Sequence, residues 1–340
     1  MNRRLSTLIT GVVLLAGLGA LAYAAPVKYV ELVPGPTFNT LGSEKGQPVI
    51  SITGAATSNP SGQLRMLTVG EIDNLTAWEV VRGWFDHDSA VLPREVIVPA
   101  GESQQQINQE STDQFKQSQS SAVTAALRHE GYPVFVKVTN VLAGKPAQGH
   151  LAAGDTVTSV DGKQIMSADD LAGLIQSKPV GTTLQIGYIR AGKAAVTPIT
   201  TVAGSDGKPQ IGIEVEQDQP SPIKVNIQLA DVGGPSAGLM FTLGIIDKLG
   251  PTDLTGGRTI AGTGTMDDDG DVGPIGGIAQ KMIAAHDAGA RYFLAPADNC
   301  AEALRSPVAG LTLVKVTTLD GALGALSDIR DGTRPPVCTR

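Results

Sequence analysis

The residues best suited to chemistry in this 340-residue chain lie between Ile223 and Lys281. Ser236 stands in Gly233-Gly234-Pro235-Ser236-Ala237-Gly238, and Lys281 follows 45 residues later. A serine hydroxyl is a weak nucleophile until a base takes its proton. A lysine becomes such a base when burial lowers its pKa from about 10.4 by about 3–5 units. The neutral amine can then accept the serine proton near pH 7 with no histidine involved.

The flanking pattern indicates which elements must carry these groups. Ile223, Val225, Ile227 and Leu229 alternate with Lys224, Asn226 and Gln228, the period of a half-buried strand. Leu239, Met240, Leu243, Ile246 and Leu249 recur at helical spacing until Gly250-Pro251 stops them. Pro235 suits the first helical position, which places Ser236 in the first turn among N–H groups without intrahelical acceptors. Gly234 and Ala237 would then offer backbone donors to a developing oxyanion. The same segment also fits a glycine-rich anion nest or a plain helix cap. A second helix is expected after Gly273-Pro274-Ile275-Gly276-Gly277, with Ile278, Lys281, Met282, Ala285 and Ala288 on one face. A lysine on such a stripe either snorkels to water or is desolvated and functional.

These motifs carry a family resemblance. Gly-Pro-Ser-Ala-Gly, followed by Pro-Ile-Gly-Gly-(x)3-Lys, resembles the proteolytic domain of the Lon proteases, from about Ile223 to Leu311–Ser327. The resemblance implies that Ser236 is the nucleophile and Lys281 its general base. It also implies that Thr263, in Gly262-Thr263-Gly264, orients the lysine. Lon enzymes usually have an aspartate where this chain has Gly233, so any role of that residue is lost or passes to Asp231. The variant is most similar to the membrane-anchored PDZ–Lon branch. Lon-type domains often form rings, so a homo-oligomer is an expectation from the resemblance alone.

Residues 134–202 resemble a PDZ domain of the bacterial HtrA type. The matching runs are Val138–Ala147, Leu151–Val157 and Val160-Asp161-Gly162-Lys163. Such a module accepts an extended peptide by strand addition. Tyr132, Pro133 and Val134 align with the loop that binds a peptide's terminal carboxylate, although Pro133 lacks one of the N–H donors. Use of the module only as a spacer or lid remains the plainer alternative.

Compartment is expected from the N-terminus. Asn2-Arg3-Arg4 precedes a nearly uncharged run from Leu5 to Ala25, enough for a single membrane pass with the bulk of the chain extracytoplasmic. Ala22-Tyr23-Ala24 alternatively suggests a cleaved signal peptide. Cys300 and Cys338 are either one disulfide or two free thiols. A net charge of −7 and the lack of any basic run argue against a nucleic-acid partner. Neither metal-ligand spacing nor a G-x-x-x-x-G-K-[ST] loop occurs, so no metal or other cofactor is expected and any proteolysis is ATP-independent.

The expected fold is α/β to α+β, a Lon-type proteolytic domain with a PDZ module and one N-terminal transmembrane helix. The expected divisions are an anchor at 1–25, an N-terminal region at 26–121 that contributes early elements of the proteolytic domain, a PDZ domain at 122–204, the proteolytic domain at 205–330 and a tail at 331–340. The expected function is a membrane serine endopeptidase acting on polypeptides, with the PDZ module binding or gating substrate. Two rivals compete. One is an inactive peptide-binding membrane protein. The other is an α/β-hydrolase, since Gly234–Gly238 satisfies G-x-S-x-G and Ser236, Asp271 and His286 follow that fold's triad order. Against the second, Pro235 favours a helical start over a strained elbow, and His286 falls inside a predicted helix.

Overall fold

The computed structural model describes residues 3–97, 101, 103–230 and 232–339, with the backbone alone for residues 3–5 and 22. Two compact units emerge from the contacts. One holds residues 1–51, 56–122 and 225–340, and the other residues 52–55 and 123–224. Asp231, the residue to which the Lon resemblance would pass the missing aspartate's role, lies outside the described residues.

The first unit is built on a mixed six-stranded sheet. Its order is Thr312–Val316, Tyr292–Pro296, Thr259–Gly262, Gln63–Ile72, Tyr29–Asn39 and Ala90–Pro93. The first four strands run parallel, while Tyr29–Asn39 is antiparallel to both of its neighbours. Strands from both ends of the chain therefore share one sheet. Against it pack two helices, Gly238–Leu249 and Ile278–Asp287. The first is buried from Gly238 through Asp247, as its all-round apolar sequence requires of a core helix. Thr312–Val316 is joined by the C-terminal segment, where Cys338 is disulfide-bonded to Cys300.

Helix Gln104–His129 is 26 residues long. Ser103 and Gln106 form reciprocal side-chain to backbone bonds at its start, the capping-box arrangement. Pairs one turn apart, Gln109 with Asp113 and Gln114 with Glu110, extend helical order through the Gln/Ser-rich stretch.

The second unit has a five-strand path in the order Lys193–Thr200, Thr183–Arg190, Thr156–Val160, Phe135–Val141 and Ile213–Asp218. Its core includes Val136, Val138, Val157, Leu184, Ile186 and Leu171. Leu171 comes from helix Ala168–Gln176, capped by the Ser167 hydroxyl.

The expectation of a transmembrane helix is corrected. Helix Arg3–Ala24 covers the expected anchor, but among the described residues no helix is long and apolar enough to cross a membrane. Ser6, Thr7, Thr10, Gly11, Gly17 and Gly19 interrupt its aliphatic run. The α/β architecture stands without that element, and the cell-membrane, extracytoplasmic localisation that depended on it is withdrawn.

Candidate active site

Ser236 sits in a turn two residues before helix Gly238–Leu249, whose cap is Ala237. It is half-buried. The serine therefore stands at the helix mouth, one residue before the cap, and not within the first turn expected from the sequence. Lys281 lies in the first full turn of Ile278–Asp287, which begins after Gly277. Gly277 has φ 67° and lies so close to Val69 that a Cβ would fall 2.6 Å from its Cγ2. Glycine is the residue that tolerates both conditions.

This approach brings Lys281 Nζ to 2.9 Å from Ser236 Oγ and 3.3 Å from Thr263 Oγ1. The Thr263 hydroxyl donates to the Ser236 carbonyl at 3.0 Å, while Gly264 N–H donates to the same oxygen at 3.0 Å. Lys281 is 3% exposed, and among the described residues no carboxylate pairs with it. Burial alone pushes its pKa down to about 8. Desolvation penalises the ammonium, so the neutral amine is accessible near physiological pH. Ser236 and Lys281 open onto a cleft of about 800 Å³ walled by Met66–Glu71, Val232–Ala237 and Pro274–Gly277. Glu71 on that wall is raised above the usual carboxylate range, first by burial and then by Asp73.

The two expected oxyanion donors differ in state. Gly234 N–H already donates to the Ser111 carbonyl at 2.9 Å. Ala237 N–H has no acceptor among the described residues. Asn299 was not anticipated. Its side chain accepts from Ile275 N–H and donates to Ile275 C=O, both at 2.9 Å, so it holds the loop that leads into the lysine helix. No motif marks it, because the two segments are 24 residues apart.

The competing triad is not assembled. The His286 side chain is 52% exposed, with Nδ1 3.5 Å from Asp287, and His286 does not line the Ser236 cleft. Asp271 pairs with Thr318 through its backbone and does not line that cleft either. Among the described residues no cluster of His, Cys, Asp or Glu is suited to a metal ion.

In the second unit a groove runs beside helix Ala168–Gln176. Leu171, Ala172 and Ile175 form one wall, and Pro209–Ile213 with Val215 forms the other. Tyr132, Pro133 and Val134 do not line it. The strand after them, Phe135–Val141, pairs on both sides and has no free edge. Ile213–Asp218 is an edge strand, the one beside the groove, and is preceded by Gly212 at φ 81°. A Cβ there would meet Lys145 Cβ at 2.1 Å.

Comparisons with known proteins match two stretches of the chain. Residues 195–325 match the Lon protease (S16) C-terminal proteolytic domain. The chain carries a Lon-family serine protease domain. Residues 112–200 match a PDZ domain. A Lon protease of Chloroflexus aggregans is 37% identical over 92 residues, 26% of this chain and 11% of that protein. Lon protease 2 of Bacillus subtilis is 25% identical over 166 residues, 48% of this chain and 28% of that protein. The chain thus spans well under half the length of either relative. The PDZ domain of an SdrC-like protein from Listeria monocytogenes is 34% identical, covers 24% of this chain and 85% of its own, and has a TM-score of 0.23.

Proposed function

We propose that this Lon-type domain is an endopeptidase in which Ser236 is the nucleophile and Lys281 the general base. The observation that carries the proposal is the 2.9 Å approach of a buried, low-pKa amine to the serine hydroxyl. Neutral Lys281 takes the proton as Ser236 Oγ attacks the scissile carbonyl. Ala237 N–H stabilises the resulting oxyanion. The ammonium then returns its proton to the departing amine, leaving an acyl-serine. Water, deprotonated by the regenerated amine, releases the acid. Thr263 keeps the lysine aimed at Ser236. None of these steps consumes a nucleotide.

The PDZ unit binds polypeptide substrate by adding an extended segment to edge strand Ile213–Asp218. The groove beside helix Ala168–Gln176 supports this placement, in preference to Tyr132–Val134.

The test uses the full chain with an unfolded protein substrate and a fluorophosphonate probe. Ser236→Ala and Lys281→Ala should each abolish cleavage, Ser236→Ala should remove labelling, and His286→Ala should retain both. Cleavage that survives Ser236→Ala, or dies with His286→Ala, would refute the assignment.

A further inference from the structure

Helix Gln104–His129 grips the nucleophile loop at two points. Gly234 N–H donates to the Ser111 carbonyl, and the Ser118 hydroxyl donates to the Pro235 carbonyl, each at 2.9 Å. Positions 111 and 118 lie about two turns apart, so they share one helix face. Ser118 is 4% exposed, which leaves its hydroxyl little access to water.

The position of the second bond matters. The Pro235 carbonyl and the Ser236 N–H belong to one planar trans peptide and point in opposite directions. Holding the carbonyl toward the helix therefore turns the Ser236 N–H away from it. Among the described residues that N–H meets no acceptor, and Ser236 lines the cleft. The same grip sets the peptide from which the Ser236 side chain departs.

We propose that Ser118 is a positioning residue for hydrolysis: its hydroxyl fixes the 235–236 peptide so that Ser236 N–H joins Ala237 N–H as an oxyanion donor. This rests on the endopeptidase function proposed above. Ser118 touches no substrate, and its effect is on the reacting state, not on substrate capture.

The experiment compares Ser118→Ala and Ser118→Thr in the full chain, with Ser120→Ala at an exposed position of the same helix as control. Steady-state kinetics on a fluorogenic peptide are paired with thermal unfolding. Ser118→Ala should lower kcat about tenfold, the worth of one hydrogen bond, with KM within about twofold. Ser118→Thr, which keeps the hydroxyl, should recover most of the rate, and Ser120→Ala should match wild type. A wild-type kcat in Ser118→Ala, an equal loss in both variants, or a loss that follows the unfolded fraction would each overturn the proposal. Those outcomes leave the endopeptidase function intact if Ser236→Ala is dead. A wild-type chain that cleaves nothing and ignores the serine probe defeats both.

Discussion

Thr263 Oγ1 lies between two members of the site, donating to the Ser236 carbonyl at 3.0 Å and lying 3.3 Å from Lys281 Nζ. A hydroxyl has one proton, and here it is spent on the carbonyl. Toward Lys281 the threonine can therefore only accept. An amine that gives an N–H to Thr263 keeps its lone pair for Ser236 Oγ, which is the orientation a base requires. Thr263→Val, nearly isosteric, should reduce kcat about 10- to 100-fold with a small change in KM. Thr263→Ser should stay within a few-fold of wild type. Equal rates in Val and Ser variants would show that the hydroxyl has no orienting role.

Lys281 predicts the pH profile of the reaction. Its amine acts as base only when neutral, and its pKa is pushed down to about 8. The value of kcat/KM should rise with pH as a single ionisation near 8 and level off above it. A profile governed by a group near 6.5, the ordinary histidine value, would point to a different base.

The same burial makes Lys281 a liability to folding. Its pKa is lower in the folded chain, near 8, than in the unfolded one, near 10.5. The unfolded state then binds more protons between those values, so stability rises with pH across that window. Below about 8 the full cost of burying the ammonium is felt. Lys281→Met should be inactive yet more stable by roughly 2–3 kcal/mol at pH 7, with the gain shrinking as pH approaches 10.5. Urea unfolding at pH 7 and pH 10 measures both, and a destabilised variant at pH 7 would contradict the argument.

The closeness of Ser236 and Lys281 follows from signals that are local in sequence, a proline-led helix start and a glycine pair before a second helix. The part of helix Gln104–His129 before Gln114 has no apolar periodicity to announce it, because a capping box and side-chain pairs hold it. The strand that walls the groove of the second unit is not legible in the sequence for another reason. Which strand lies at a sheet's edge is a property of pairing order, and Phe135–Val141 became an inner strand only when Ile213–Asp218 returned beside it. The Ser118 and Asn299 contacts likewise join segments 117 and 24 residues apart, with no motif to announce them.

Asp247 gives the serine helix a pH response of opposite sign. It is fully buried, its Oδ2 has no hydrogen-bond partner, and burial followed by nearby Asp253 raises its pKa to about 6, against the lowering effects of the Leu254 N–H and Lys248. The folded chain therefore holds its proton more tightly than the unfolded one. This contribution is present below about pH 4 and is lost as pH rises through about 6. Asp247→Asn keeps the acceptor for Leu254 N–H and cannot ionise. Its stability should be flatter than wild type between pH 4 and 6.5, with a relative gain on the order of 2 kcal/mol across the window. Parallel wild-type and variant curves would show that Asp247 stays ionised throughout.

Peptide docking on the second unit can be tested without disturbing its core. Ala172 is exposed on helix Ala168–Gln176 and faces the groove, opposite the segment that leads into edge strand Ile213–Asp218. A tryptophan there fills the groove from the solvent side, where an incoming strand would lie. The core behind it, including Leu171 and Leu184, is left untouched. Ala172→Trp should weaken binding of an unfolded polypeptide at least tenfold while thermal unfolding of the chain stays near wild type. Because kcat on a short peptide depends on the other unit, it should not change. Tyr132→Ala should leave polypeptide affinity within about twofold, since Tyr132 does not line the groove. Retained affinity in Ala172→Trp together with loss in Tyr132→Ala would return the binding site to residues 132–134.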